Sequence, residues 1–197
     1  RALGHLPNAD IIVTHSITAP VLIRKARFGK LYIHVARFPK GQMKWYRHAH
    51  RIQAVSSAVA DAIKQQSREL AERISIVPYP HCQEPFSMLR ETVKKENIIV
   101  YAGRVHPEKG IHLLIEAFSL LPKEVRQGWE LKIIGPWEIT KGGGGDAYLK
   151  QLLNLSTSVK DQVKFLGFVG NDMELAKHYA QAKLFVYPSL AKFGESF

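Results

Sequence analysis

Short runs rich in β-branched residues alternate with segments of helical periodicity, and the alternation begins twice. Residues 10–15, 31–36, 51–55 and 74–77 read as strands. Between them, 19–28, 42–50 and a long segment from Ser56 or Ser57 to Arg73 read as helices, the last with Val59, Ile63 and Leu70 on its inner face. Prolines and charges at 79–96 interrupt the pattern, which then restarts. Strands are predicted at 98–103, 130–135, 163–169 and 183–187, with helices at 111–121, 146–156 (capped by Asp146) and 173–181. Strands separated by helical segments come back into a sheet in the same direction, so the alternation predicts α/β architecture with parallel sheets. The expected organisation is one unit over residues 1–85, a linker over 86–96 and a second unit over 97–197, each only partly present.

The most informative local stretch follows the first strand of the second unit. Tyr101-Ala102-Gly103-Arg104 leads through Pro107 to Lys109-Gly110, and Ile111, Leu114, Ile115 and Phe118 then recur at helical spacing. A strand, a turn with two cations and a helix N-terminus make a site for an anion, because unpaired N–H groups and the helix dipole favour negative charge. Two fixed cations suit a diphosphate better than a single carboxylate. Ligands of open α/β sheets sit beyond the carboxyl ends of strands. Gly135-Pro136, Val169-Gly170-Asn171 and Pro188-Ser189 with the Gly194–Phe197 tail stand at other such ends, so one crevice would gather them.

The charge is uneven. The formal net charge is +11. Between Asp10 and Asp61 there is no acid, and Arg24, Lys25, Arg27, Lys30, Arg37, Lys40, Lys44, Arg47 and Arg51 fall in that interval. This favours an anionic partner: nucleic acid, an anionic lipid surface or a phosphate-bearing substrate. The single cysteine, Cys82, excludes an intramolecular disulfide and a cysteine-based zinc site. No apolar run approaches the length of a membrane span. The chain opens on Arg1 and stops at Phe197 without a closing element, so a piece of a longer protein is expected.

Several motifs are set aside. Gly142–Gly145 with Asp146 and Ala147 imitates the dinucleotide fingerprint, but residues 136–141 separate it from its strand, so a flexible loop is expected instead. There is no Walker Gly-Lys-Ser/Thr and no Asp-x-Asp pair for a metal-bound nucleotide sugar. The nine histidines show no zinc spacing; His48 and His50, two apart, cannot share a helix face.

Taken in order, Tyr101–Arg104 with Lys109-Gly110, Val163–Val169, and Leu184–Ser189 leading to Gly194-Glu195-Ser196-Phe197 resemble the donor-binding domain of retaining glycosyltransferases of family 4, with the GT-B fold of two Rossmann-like domains. The first half, ending in Ala54–Asp61, resembles the last part of that family's acceptor domain. The resemblance implies that 1–85 belongs to the acceptor domain and 97–197 to the nucleotide-sugar domain. It implies no cofactor and no metal, the substrate being a UDP-, GDP- or similar nucleotide sugar. Gly103, Arg104 and Lys109 would bind the diphosphate, and Arg104 and Lys109 would stabilise its departure. Val169, with Asn171 nearby, would meet the base through backbone contacts. Glu195 would be the first of the family's paired glutamates and reach the donor sugar, with the amides of Ser196 and Phe197 beside it. A catalytic histidine at an acceptor-domain strand tip is also implied; His34 is the candidate, with His15 the alternative and Ala36 beyond His34 on the same face. The acceptor would be a glycan or lipid-linked glycan, as in cell-envelope or exopolysaccharide synthesis.

Arg37, Lys40, Lys44, Trp45 and Arg47 would form an acceptor or membrane contact, cations toward headgroups and aromatics at the interface. A cytoplasmic location, peripheral on the inner face of the membrane, goes with this reading. The family's second glutamate would lie beyond Phe197, the family's N-terminal Gly-rich loop has no counterpart, and the linker reads Pro78-Tyr79-Pro80-His81-Cys82 instead of an Asn-Gly-Val-Asp-like turn. The alternative is a noncatalytic anion- or nucleic-acid-binding α/β domain, although no nucleic-acid module is recognisable. An epimerase or phosphorylase on a related fold is a third reading; a phosphorylase would need a cofactor lysine that the sequence does not identify.

Overall fold

A computed structural model describes residues 9–23, 29–80, 84–89 and 93–190. The chain divides into two compact units between Pro80 and His81, and Glu96, assigned to the linker from sequence, is already in a strand.

In the first unit β1 (Ile11–Thr14), β2 (Lys30–Val35), β3 (Arg51–Ala54) and β4 (Ile74–Ile76) form one parallel sheet in that order. Register pairs Ile12 with Leu31, Ile33 with Ile52, and Ile52 with Ile74, so branched side chains stand side by side across the sheet. α1 (Ala19–Leu22) carries Pro20 in its first turn, where no intrahelical donor is lost. α2 (Ser57–Gln66) is capped by Ser56, whose hydroxyl accepts from the Val59 amide at 3.3 Å. Leu31, Ile33, Ile52, Val59, Ile63 and Leu70 are buried together. Among the described residues β1 lies at the edge of the sheet, and Ile11 and Val13 are exposed.

Three expected helices are shorter than the sequence suggests; that over 19–28 ends at Leu22, and 24–28 lie outside the described residues. Over 42–50 there is only a 3-10 turn, Gln42–Trp45. Tyr46 is buried and its hydroxyl donates to the Ile17 carbonyl at 2.7 Å, while the His50 amide already donates to Leu31 of β2 at 2.8 Å. These tertiary anchors stop the winding. α2 ends at Gln66 because Ser67 is extended (φ −155°), and a 3-10 turn, Arg68–Arg73, then carries Leu70 into the core.

In the second unit β5 (Glu96–Ala102), β6 (Glu130–Ile134), β7 (Val163–Gly167) and β8 (Ala182–Phe185) form a parallel sheet in the order β7-β6-β5-β8. Its helices are α3 (Ile111–Leu120), α4 (Lys123–Arg126), α5 (Gly145–Leu155) and α6 (Asp172–Gln181). Alternation along β5 sends Ile99 and Tyr101 to a core with Ile111, Ile115, Leu131 and Leu152, and Ile98 and Val100 to a second one with Ile134 and Ala182. Both faces of β5 are therefore covered, which is why it reads as an unbroken apolar run. The strand order reverses beside β5: β6 and β7 lie on one side, β8 on the other. This is the topological switch point, where the crevices of open α/β sheets take ligands.

Three boundaries differ from expectation. β7 stops at Gly167, whose φ of 71° breaks the extended chain, so Val169 lies beyond the tip. β8 stops at Phe185, so Tyr187 also lies past its strand. The N-cap of α5 is Gly144, and Asp146 sits in the first turn instead.

Candidate functional site

The tips of β5 and β6 are laced together. The Gly103 amide donates to the Ile134 carbonyl at 2.9 Å, and the Val105 amide donates to the Pro136 carbonyl at 2.9 Å. A Cβ on Gly135 would come within 1.8 Å of the Gly103 carbonyl oxygen, so this approach needs glycine. The chain then makes a 3-10 turn, Pro107–Lys109, and Gly110 begins α3 in the left-handed region (φ 67°). The turn presses on the segment leaving β8: a Cβ on Gly110 would meet the Pro188 carbonyl oxygen at 2.2 Å, and the Leu190 amide donates to the Glu108 carbonyl at 2.9 Å. The structure thus brings Gly103, Arg104 and Lys109 to the switch point, beside Pro188 and Ser189.

A residue not singled out from sequence joins the cations. The Glu108 carboxylate lies 2.6 Å from Arg104 Nη2, 3.7 Å from His106 Nδ1 and 4.0 Å from Lys109 Nζ. The available signal was only that an acid stands within the same short turn as the two cations. The Lys109 side chain is only 9% exposed and its ammonium stands 5.4 Å from the centre of the Tyr187 ring. Tyr187 stacks on Tyr101 at 5.8 Å, and the Tyr101 hydroxyl donates to the Arg104 carbonyl at 2.9 Å. An aromatic pair therefore supports both cations, one through its main chain and one through its ring face.

Gly142–Gly145 is not the flexible loop expected. The Gly143 amide donates to the Glu138 carbonyl at 2.9 Å, the Gly144 amide to Val105 at 2.8 Å, and the Gly145 amide to Trp137 at 2.7 Å. A Cβ on Gly143 would reach the Trp137 carbonyl carbon at 2.2 Å. Glycines are needed here for close packing, and the Gly142 carbonyl accepts from Arg104 Nη1 at 2.8 Å.

Val169 is half-buried against the second core. The Asn171 side-chain oxygen caps α6, accepting from the amides of Met173 at 2.9 Å and Glu174 at 3.1 Å, so that oxygen is engaged within the fold. The neighbouring Phe168 ring is exposed, with Lys141 Nζ at 5.1 Å from its centre and Lys141 in turn 3.1 Å from Glu138.

In the first unit His34 is buried near the end of β2, and its Nε2 is 2.9 Å from the hydroxyl of Tyr79. The His15 ring lies 4.5 Å from it, centre to centre. His34 and His15, alternatives from sequence, thus stand together, with Ala36 one residue past the strand. Burial, and secondarily the His15 charge, lowers the His34 pKa from its ordinary 6.5, against a hydrogen bond to Gln53 that raises it. Tyr79 was missed because it is far from His34 in sequence. Arg37, Lys40, Lys44 and Trp45 are exposed, and Lys44 Nζ lies 4.9 Å from the Trp45 ring centre. Arg47 instead pairs with Glu69 at 2.5 Å, and Arg51 donates to the Glu72 carbonyl at 3.1 Å, so the basic run is partly neutralised or tied down.

Glu195, Ser196 and Phe197, and Arg24, Lys25 and Arg27, lie outside the described residues. Among the described residues no group of three or more His, Cys, Asp or Glu side chains could hold a metal ion, and no helix is long and apolar enough to cross a membrane.

The family model for glycosyl transferases group 1 matches residues 88–197, more than half of the chain. The chain belongs to the group 1 glycosyl transferase family. Among curated relatives, a lipopolysaccharide 1,2-N-acetylglucosaminetransferase of Salmonella typhimurium is 29% identical over 132 residues, covering 63% of this chain and 34% of that protein. An O-antigen chain mannosyltransferase B of Escherichia coli is 37% identical over 92 residues, covering 46% and 22%. The matches therefore span about a third and about a fifth of the length of these relatives. Among solved structures, the lipopolysaccharide outer core galactosyltransferase WaaB has a TM-score of 0.67 at 18% identity, over 92% of this chain and 50% of that one. The pneumococcal O-GlcNAc transferase GtfA, solved with UDP and GlcNAc, has a TM-score of 0.68 at 17% identity, over 100% and 40%. These likenesses give the fold: two Rossmann-like parallel α/β units of the GT-B type.

Proposed function

We propose that this group 1 glycosyl transferase chain carries the donor-diphosphate site of a metal-independent, retaining enzyme that moves a sugar from a nucleotide-diphosphate sugar to a hydroxyl of a glycan or lipid-linked glycan in cell-envelope polysaccharide synthesis. The observation that carries this reading is the pair of cations, Arg104 and Lys109, on the turn between β5 and the N-terminus of α3 at the switch point. Arginine and lysine beside α3 offer an anion two charges and a dipole, and the charge on a departing diphosphate is where such groups lower a barrier. Gly103 lets the chain turn at the tip. Val169, with Asn171 nearby, meets the base through main-chain contacts, while the Asn171 side-chain oxygen holds the start of α6. Glu195 reaches the donor sugar, with the Ser196 and Phe197 amides near its phosphate, and His34 faces the acceptor side of the reaction. The acceptor hydroxyl attacks from the face the nucleotide leaves, and a phosphate oxygen takes its proton.

The relatives' names support an envelope glycan as acceptor. Exposed Arg37, Lys40, Lys44 and Trp45 support a peripheral contact with an anionic, inner membrane face. Equal flotation with anionic and neutral vesicles would remove that part of the reading.

The test is calorimetry and thermal shift with UDP, GDP and ADP, each with and without a chelator, against short DNA. Binding of at least one nucleoside diphosphate, insensitive to chelator and weakened at least about tenfold in Arg104→Ala and Lys109→Ala, supports the proposal. A shift with DNA alone that fades with salt favours the nucleic-acid-binding alternative.

A further inference from the structure

Arg104 is held by more than its counter-ion. Glu108 takes Nη2 at 2.6 Å and the Gly142 carbonyl takes Nη1 at 2.8 Å, so both terminal nitrogens of the guanidinium have an oxygen partner and its plane is set. These partners come from different places: Glu108 from the same turn, Gly142 from the loop after β6. That loop is itself tied at three successive amides, to Glu138, Val105 and Trp137. Gly142 closes the 3-10 turn Ile139–Lys141 in the left-handed region (φ 79°), and this backbone reversal is what presents its carbonyl to Arg104. A Cβ at 142 would stand 3.1 Å from both Cδ and Nη1 of Arg104, so any side chain there pushes the guanidinium.

We propose that Gly142 is a positioning residue for the donor site: its main-chain carbonyl, presented by the tetraglycine loop, fixes the orientation in which Arg104 meets the diphosphate. This inference rests on the donor-site reading above. It explains a run of glycines far from any dinucleotide motif: they let a loop lie flat on Val105 and Trp137 and turn a carbonyl toward a binding cation. Gly142 touches no ligand in this account and acts only through Arg104.

A double-mutant cycle in the 197-residue chain tests it, reading affinity for UDP, GDP and inorganic pyrophosphate by calorimetry. Gly142→Ala weakens the best-bound diphosphate about tenfold in the Arg104 background and changes it less than about twofold in Arg104→Gln. Gly128→Ala is the control for backbone strain, since Gly128 has a similar φ of 75° and its Cβ would meet nothing within 4 Å; it leaves affinity unchanged. If Gly142→Ala does not fold, Gly142→Asn, which tolerates the left-handed region, takes its place. Equal losses in the two Arg104 backgrounds, or unchanged affinity in Gly142→Ala, overturn the inference while leaving the donor site standing. Wild-type chain that binds none of these three anions and no ADP overturns both.

Discussion

The Arg104 guanidinium and the Glu108 carboxylate, four residues apart, lie 2.6 Å apart on the turn that joins β5 to α3. Glu108 also stands 4.0 Å from Lys109, so one carboxylate faces both cations assigned to the diphosphate. On the proposed donor-site reading it orders the cations and would compete with an incoming anion for them. Glu108→Gln keeps the shape and removes the charge. Pyrophosphate affinity at low salt is expected to rise several-fold, with a steeper decline as salt is added. Calorimetry at two ionic strengths measures this; unchanged affinity would show that the carboxylate does not compete.

Arg104→Lys keeps a charge but cannot span Glu108 and Gly142 with one planar fork. Nucleoside-diphosphate affinity is expected to fall about tenfold, with little change in melting temperature. Affinity equal to wild type would mean that charge alone suffices.

Asn171 separates a structural role from a binding role. Its side-chain oxygen caps α6 through the Met173 and Glu174 amides. Asn171→Ala is expected to lower unfolding free energy by about 1 kcal/mol and Asn171→Asp to keep the cap, both with less than about twofold change in diphosphate affinity. A large loss of nucleoside-diphosphate affinity in either variant would show that the Asn171 side chain also takes part in donor binding.

Gly135→Ala is expected to destabilise the second unit by at least about 3 kcal/mol, because a Cβ there meets a backbone oxygen with no room to yield. Urea unfolding followed through Trp129 and Trp137 reads this unit; a loss below about 1 kcal/mol would show that the β5 and β6 tips can separate.

His34 gives the first unit a pH dependence. Its folded pKa lies below 6.5, so between those values the unfolded chain takes up a proton that the folded chain refuses. The stability of neutral His34 is therefore present above about pH 6.5 and declines as pH falls toward the folded pKa. Tyr79, His15 and Gln53 are the groups around it. His34→Gln is expected to flatten the melting-temperature profile on the acid side; an identical slope in the variant would assign the dependence to other groups, such as His178, whose pKa is also lowered, chiefly by burial.

Local pattern carried much of this protein. The apolar run around Val100 announced a buried strand because side chains on both of its faces pack into cores. The turn from Gly103 to Gly110 announced the strand–turn–helix unit that carries Arg104 and Lys109, because strand end, cations and helix start are contiguous in sequence. Tertiary structure decided the rest. Tyr46 and His50 halted a helix that periodicity favoured, because contacts to Ile17 and Leu31 are invisible to a local window. Lys109 found the Tyr187 ring, His34 found Tyr79, and Arg104 found the Gly142 carbonyl across long stretches of chain. The tetraglycine run shows the division most clearly. By itself it means only backbone freedom; whether that freedom becomes motion or close packing depends on Val105, Trp137 and Glu138, which the fold alone brings to it.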